Sequence, residues 1–218
     1  MPLSTFLGMS KKSRSDIPSS LPILRQEIGR HVASQNCFVV GSAPSAQFAP
    51  HARCICVNGS GWSAKRMGIL NPDLTIISGW TLRGDTPVRT ATVKALSGLK
   101  TKTALLIDFG LPLSAAEEVL QSIDYSFEKL LTISSAERAA IFSEICGAYI
   151  PEGDQNSRPS NGLFAVALVL WAGASNVIMT GFSLSGGHAY MGCDTPREHV
   201  AGDRWFLHKT QGQPISIL

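Results

Sequence analysis

Three short apolar runs, each stopping at a small polar residue or glycine, most constrain the fold of this chain. Cys37-Phe38-Val39-Val40 runs into Gly41-Ser42-Ala43-Pro44-Ser45, Cys54-Ile55-Cys56-Val57 ends at Asn58-Gly59, and Leu74-Thr75-Ile76-Ile77 ends at Ser78-Gly79. Runs this short, apolar on both faces and bounded by turn residues, suit strands buried on both sides, as in a parallel sheet covered by helices. Helical material lies between them. Leu21 to Ser34 reads as a first helix and Trp62 to Met67 as another.

The same alternation continues towards the C-terminus. Lys102 to Phe109 reads as a strand, and Ser114 to Ser122 and Ser135 to Ile145 as helices. Ser160-Asn161-Gly162 then introduces an apolar helix from Leu163 to Trp171, closed by Gly173, and Asn176 to Gly181 reads as the last core strand. The expected architecture is an α/β fold: a single Rossmann-like, doubly wound, mainly parallel sheet. Phe182 to Arg197, rich in Gly, Ser and polar residues, is expected to form a lid-like loop region near the C-terminus. In such sheets ligands bind beyond the carboxyl ends of the strands.

With 218 residues, 44% hydrophobic and 16% charged, the chain can bury one substantial core. Residues 1–20, rich in Ser, Lys and Pro, read as a flexible N-terminal segment, and 21–218 as one domain. The net charge of +3 owes part to Lys11, Lys12 and Arg14 in that segment, too little to argue for a nucleic-acid partner. Five cysteines without a repeating framework imply reduced core thiols. Cys54 and Cys56, two apart on a strand, share a face and do not bridge within it. No early apolar run suits a signal peptide, so a cytoplasmic location is expected. The stretch Gly162 to Ala174 is too short for a membrane span.

Several chemistries fall away on motif grounds. The loop from Gly41 to Ser45 lacks both the glycine spacing of a dinucleotide site and the lysine of a P-loop. Neither Gly41-Ser42-Ala43-Pro44-Ser45 nor Gly181-Phe182-Ser183-Leu184-Ser185 is a nucleophile elbow, which disfavours a serine hydrolase. His188, Cys193 and His199 match no common zinc spacing, and no metal site is expected.

The remaining candidates each carry two readings. Ser160 and Asn161 suit helix capping, and the same helix start offers amides and a positive dipole end to a phosphate. Tyr190, in the glycine-flanked run Gly186 to Met191, either anchors its loop by ring packing or donates its phenol to a phosphate oxygen. His199 begins a helix-like stretch with Glu198, Arg197 and Arg204 nearby; it either packs there or takes a proton from a hydroxyl near neutral pH.

Taken in order, Val39 to Ser45, Val57-Asn58, Ile77-Ser78, Pro159 to Gly162, Thr180 to Ser183 and His199 resemble the bacterial sialyltransferase family that uses CMP-sialic acid. The similarity runs from about Cys37 to Leu207. In that family the first strand ends in an Asn-Gly-Pro-Ser loop against the nucleotide; here Ser42, Ala43, Pro44 and Ser45 match, and the Asn is replaced. Asn58 matches the second-strand Asn, and Ser78 stands where the third-strand Asn would be. Ser160-Asn161-Gly162 resembles the Thr-Ser-Gly helix start that meets the nucleotide. Ser183 replaces the acid of a Ser-Gly-Ile-Asp strand end. Tyr190 corresponds to one of two tyrosines at the departing phosphate, and His199 falls on the general base.

The resemblance implies a glycosyltransferase for a CMP-activated acidic sugar, sialic acid or a related ulosonic acid such as Kdo. Transfer would be inverting, with no metal and no cofactor beyond the donor substrate itself. His199 and Tyr190 would be the catalytic residues, with Gly41, Ser42, Ala43, Pro44, Ser45, Asn58, Ser78, Ser160, Asn161, Gly162 and Ser183 holding the donor. A glycan acceptor would be the second partner, and a lipid-linked acceptor would bring peripheral membrane association. Because the departures surround the donor, a catalytically idle nucleotide-sugar-binding or assembly protein is the rival reading.

Overall fold

A computed structural model describes residues 20–110, 112–150, 157–184, 189–190 and 198–218. Residues 1–19 of the N-terminal segment, and His188 and Cys193, lie outside the described residues.

Among the described residues seven strands form one sheet: β1 (Asn36–Val40), β2 (Arg53–Val57), β3 (Leu74–Ser78), β4 (Lys100–Ile107), β5 (Ser126–Ile133), β6 (Asn176–Thr180) and β7 (Ile215–Ile217). Their spatial order is β5-β4-β3-β2-β1-β6-β7, and every adjacent pair is parallel. The chain builds outward from β1 to β5 on one side, then crosses back to place β6 on the other. The strand order therefore reverses between β1 and β6, where open α/β sheets form a crevice.

Side-chain alternation explains why both faces are covered. Cys37, Val39, Ile55, Val57, Leu74, Ile76, Leu105 and Ile107 point into the larger core. That core is closed by α1 (Leu21–Val32), α5 (Ser135–Cys146), α6 (Asn161–Trp171) and Phe206 of α7 (Val200–Lys209). Phe38, Val40, Cys54 and Cys56 point the other way onto Ala64 of α2 (Gly61–Arg66). Ile77, Ala104 and Leu106 meet Leu96 of α3 (Pro87–Leu96) and Ala116 and Leu120 of α4 (Leu113–Ser122). The sheet is thus doubly wound.

Helix α6 is central. It packs on β1, β2, β3 and β6 and also touches α1 and α5, which is why its sequence is apolar all round rather than on one stripe. Helix α1 instead buries only Leu21, Leu24, Ile28 and Val32, a single face at helical spacing. Each such side chain, fully buried, is worth about 1.5–3 kcal/mol relative to exposure.

Three elements were not read from the sequence. Strand β5, at the sheet edge, is exposed or half-buried at every residue but Ile133, so its run Ser-Phe-Glu-Lys-Leu-Leu-Thr-Ile lacks the continuous apolar character of the inner strands. Helix α3 carries β-branched Val and Thr residues that blur a helical period. Strand β7 spans three residues and pairs outside β6, so β6 is not the final strand. Helix α5 begins at Ser135, as the sequence indicates, with Ser134 as its cap in a reciprocal box with Glu137.

Cys37, Cys54, Cys56 and Cys146 are free and buried. The Sγ atoms of Cys54 and Cys56 lie 3.9 Å apart on one face, in a thiol–thiol hydrogen bond rather than a disulfide. Burial pushes the Cys37 thiol up to about 12, so it stays protonated.

Candidate functional site at the strand reversal

The two strands flanking the reversal are stapled at their ends. Gly41 N–H donates to the Thr180 carbonyl at 2.8 Å, and Ala43 N–H to the Gly181 carbonyl at 2.7 Å. A Cβ on Gly41 would stand 2.4 Å from the Gly181 oxygen, so only glycine permits this approach. The hydroxyl of Ser60 bridges the next pair, accepting from Val57 N–H at 2.7 Å and donating to the Val40 carbonyl at 2.6 Å. Asn58 sits in the left-handed region with φ 49°, a conformation Asn tolerates, and its Oδ1 accepts from Ser78 N–H at 2.9 Å. Four strand ends are thereby locked side by side.

Above them opens a cleft of about 320 Å³. Gly41, Ser42, Asn58, Ser78, Ser160, Asn161, Gly162, Ser183, Tyr190 and His199 all line it. Ala43, Pro44 and Ser45 do not. The Ala43 bond to Gly181 folds the loop back over the end of β6, which buries Ala43 and turns Pro44 and Ser45 to solvent. They shape the loop rather than face the cleft.

The start of α6 enters from the side. Ser160 is its N-cap, its Oγ accepting from Leu163 N–H at 3.4 Å, while its own N–H donates to Asp203 Oδ1 at 2.6 Å. Asn161 and Gly162, the first two helical residues, carry amides with no partner inside the helix, and both face the cleft. The preceding turn is held by Arg138, whose guanidinium donates to the Pro159 carbonyl at 2.6 Å and stacks on Phe142 and Phe164. Burial first, then the neighbouring Arg158 guanidinium, lowers Arg138 to about 10, which leaves it cationic at neutral pH.

Helix α7 docks on this turn. A Cβ at Gly202 would meet the Arg158 carbonyl carbon at 2.3 Å, so the two backbones touch. His199 occupies the N-cap position of α7, yet its side chain makes no capping bond. Instead, Nδ1 lies 3.0 Å from the Arg158 carbonyl oxygen. A carbonyl only accepts, so Nδ1 must carry the proton, and in the neutral ring Nε2 holds the lone pair. Tyr190 is seated on Gly59, where a Cβ would come within 2.7 Å of its ring, and beside Ala95 of α3. Ala189 N–H donates to the Ser42 carbonyl at 2.6 Å, tying this turn to the end of β1.

The sequence reading missed Asp203, Phe182, Trp80 and Glu198, which also line the cleft. An acid in the first turn of a helix was visible for Asp203, but its bond to Ser160 arises only from docking. Phe182 is pressed against the start of α6, where a Gly162 Cβ would meet its ring at 2.7 Å. Among the described residues no three His, Cys, Asp or Glu side chains gather as a metal site.

This arrangement defines a class of fold: an open, all-parallel α/β sheet, wound on both faces, with a cleft at the strand reversal. No protein-family model matches the chain, and no curated protein is similar to it in sequence. Among solved structures it is similar to the monofunctional alpha-2,3-sialyltransferase Cst-I of Campylobacter jejuni, with a TM-score of 0.50 and 14% identity over 84% of this chain and 75% of that one. It is also similar to the sialyltransferase CstII of the same organism, solved with the substrate analogue CMP-3FNeuAc. There the TM-score is 0.52 and the identity 11%, over 84% of this chain and 81% of that one. At such identities the likeness establishes the fold.

Proposed function

We propose that the chain is a glycosyltransferase that moves an acidic sugar, sialic acid or a related ulosonic acid, from a CMP-activated donor to a glycan hydroxyl. One observation carries this reading: a histidine whose Nδ1 is tied to a backbone carbonyl and the start of α6, where the amides of Asn161 and Gly162 have no partner inside the helix, line the same cleft at the strand reversal. A base and an anion-binding helix end are what displacement of a nucleotide phosphate by a hydroxyl requires.

In the proposed reaction, Nε2 of His199 takes the proton of the acceptor hydroxyl as its oxygen attacks the anomeric carbon. The bond from that carbon to the CMP phosphate oxygen breaks, the electron pair leaves with CMP, and the configuration inverts. The amides of Asn161 and Gly162 and the phenol of Tyr190 stabilise the phosphate charge as it develops. Asn58 and Ser78 meet the sugar end of the donor, with Ser42 and Ser183 beside the nucleotide. With these groups neutralising the leaving phosphate, no metal is needed. A lipid-linked acceptor would place the chain at a membrane surface; among the described residues no helix is long and apolar enough to cross one.

The test combines binding and turnover. CMP at 100 times its Kd should stabilise the protein by about 2.7 kcal/mol, whereas stabilisation by NAD or ATP but not CMP rejects the donor class. His199→Ala should keep CMP affinity and lose about 10²–10⁴-fold in kcat. A folded His199→Asn variant with near-wild-type kcat removes the base from the mechanism. CMP binding by the wild type without any donor turnover identifies an idle binding protein instead.

A further inference from the structure

We propose that the rim of the cleft beyond β3, continued by a groove along α3, is the acceptor subsite, with Trp80 as the surface on which a pyranose ring stacks. The assignment rests on the transferase reading, and its chemistry comes from side chains that reading does not use.

Trp80 lies in the 3-10 turn Gly79–Leu82 that follows β3 and lines the cleft opposite α6. It is 48% exposed, although an indole is among the most valuable side chains to bury. Mobility does not explain this exposure, because the turn is fastened on both sides. Thr81 Oγ1 donates to the Ser78 carbonyl at 2.8 Å, Arg83 N–H donates to the Trp80 carbonyl at 3.2 Å, and Leu82 is buried. Gly79 meets the Phe109 backbone so closely that a Cβ would stand 2.4 Å from its Cα. The backbone that carries the indole is therefore fixed, and a half-exposed aromatic ring lines the cleft on a fixed support.

Outside this rim runs a second groove of about 510 Å³, lined by Asp85, Thr90, Ala91 and Lys94 among others and sharing Tyr190 with the cleft. Thr86 also borders it, but its hydroxyl is used by the Arg89 amide as the cap of α3. Asp85 offers acceptors, Lys94 donors and Thr90 both. The charges are of mixed sign and spread along an open wall, unlike the donor cleft with its helix end. A sugar ring has one apolar C–H face and a belt of hydroxyls, so a flat indole followed by a mixed donor and acceptor wall fits a glycan. Tyr190, at the junction, then separates the phosphate end of the donor from the acceptor.

The test uses saturation-transfer NMR and tryptophan fluorescence with four methyl glycosides (of galactose, glucose, mannose and N-acetylglucosamine) and with lactose, each with and without CMP. At least one should bind the wild type. Trp80→Ala should weaken it about tenfold, equal to about 1.4 kcal/mol, while Trp80→Phe keeps most of the affinity. Ala91→Trp, which fills the groove, should abolish any advantage of lactose over methyl galactoside. CMP affinity and circular dichroism report folding of each variant. No glycoside binding to the wild type, or equal affinity in Trp80→Ala, overturns the inference. A protein that binds glycosides through Trp80 but never CMP instead overturns the donor reading and leaves the sugar subsite standing.

Discussion

Gly41→Ala tests whether the floor of the cleft is set by the contact between β1 and β6. The added methyl would begin 2.4 Å from the Gly181 oxygen and 2.9 Å from both the Gly181 carbonyl carbon and Phe182 Cδ2. Ordinary contact would require one strand end to withdraw by roughly an ångström, and overpacking of this kind costs about 1–3 kcal/mol. Withdrawal is resisted by the two backbone bonds that staple Gly41 to Thr180 and Ala43 to Gly181. At about 2–4 °C per kcal/mol for a chain of this size, Tm should fall by about 2–12 °C. The same shift tilts Ser42 and Ser183, so CMP affinity should fall about tenfold or more, since ångström displacements at a site are expensive. Gly29→Ala in α1 is the control: its methyl meets nothing nearer than the Ala172 oxygen at 3.4 Å. That helix-interior change should raise stability by about 0.5–1 kcal/mol. Calorimetry with CMP titration gives both readouts. A Gly41→Ala protein with unchanged Tm and unchanged CMP affinity refutes the close approach as the foundation of the site.

Other consequences are independent of that one. Ser134→Ala and Ser160→Ala each remove a helix cap worth about 1 kcal/mol, but only Ser160→Ala should also weaken CMP binding; equal effects on CMP would detach the start of α6 from the ligand. EDTA should leave transfer unchanged, and recovery of a chelated enzyme by Mn²⁺ or Mg²⁺ would count against phosphate stabilisation by amides and phenol. Burial opposes ionisation of Glu137, yet hydrogen bonds from Ser20 and Ser134 outweigh it and hold the carboxyl below its ordinary value. Its folded pKa therefore lies below the unfolded one, so its stabilisation is present above the unfolded value of about 4.3 and drains away as pH falls through the folded one. The Tm deficit of Glu137→Gln should be largest near pH 7 and vanish in acid, and a deficit constant with pH would contradict this.

The parts of the molecule legible in the sequence are those where one local rule decides. Buried parallel strands announce themselves as apolar runs, and the residues that break them, Gly41, Asn58, Ser78 and Ser183, fall at strand ends for that reason alone. Ser160 is readable because capping is local. Strand β5 was not, since an edge strand answers to solvent on one side. Ala43, Pro44 and Ser45 were assigned to the ligand because the loop's direction depends on a bond to Gly181, far away in sequence. The tautomer of His199 was equally invisible, because it depends on the carbonyl of Arg158 brought there by α7. The exposure of Trp80 follows from the packing of its neighbours, not from its own identity.

The pairing of β1 with β6 also orders events in time. Strands β1 to β5 each join a neighbour that is next in the chain, whereas Asn36 must wait for Asn176 before the reversal exists. Loop closure over such a span is slow compared with the sequential crossovers. A chain emerging from the ribosome could complete most of its sheet before either wall of the crevice, α6 and α7, had been made. Ligand recognition should thus arise in one late step, and stalled nascent chains lacking the last third should be unable to retain CMP.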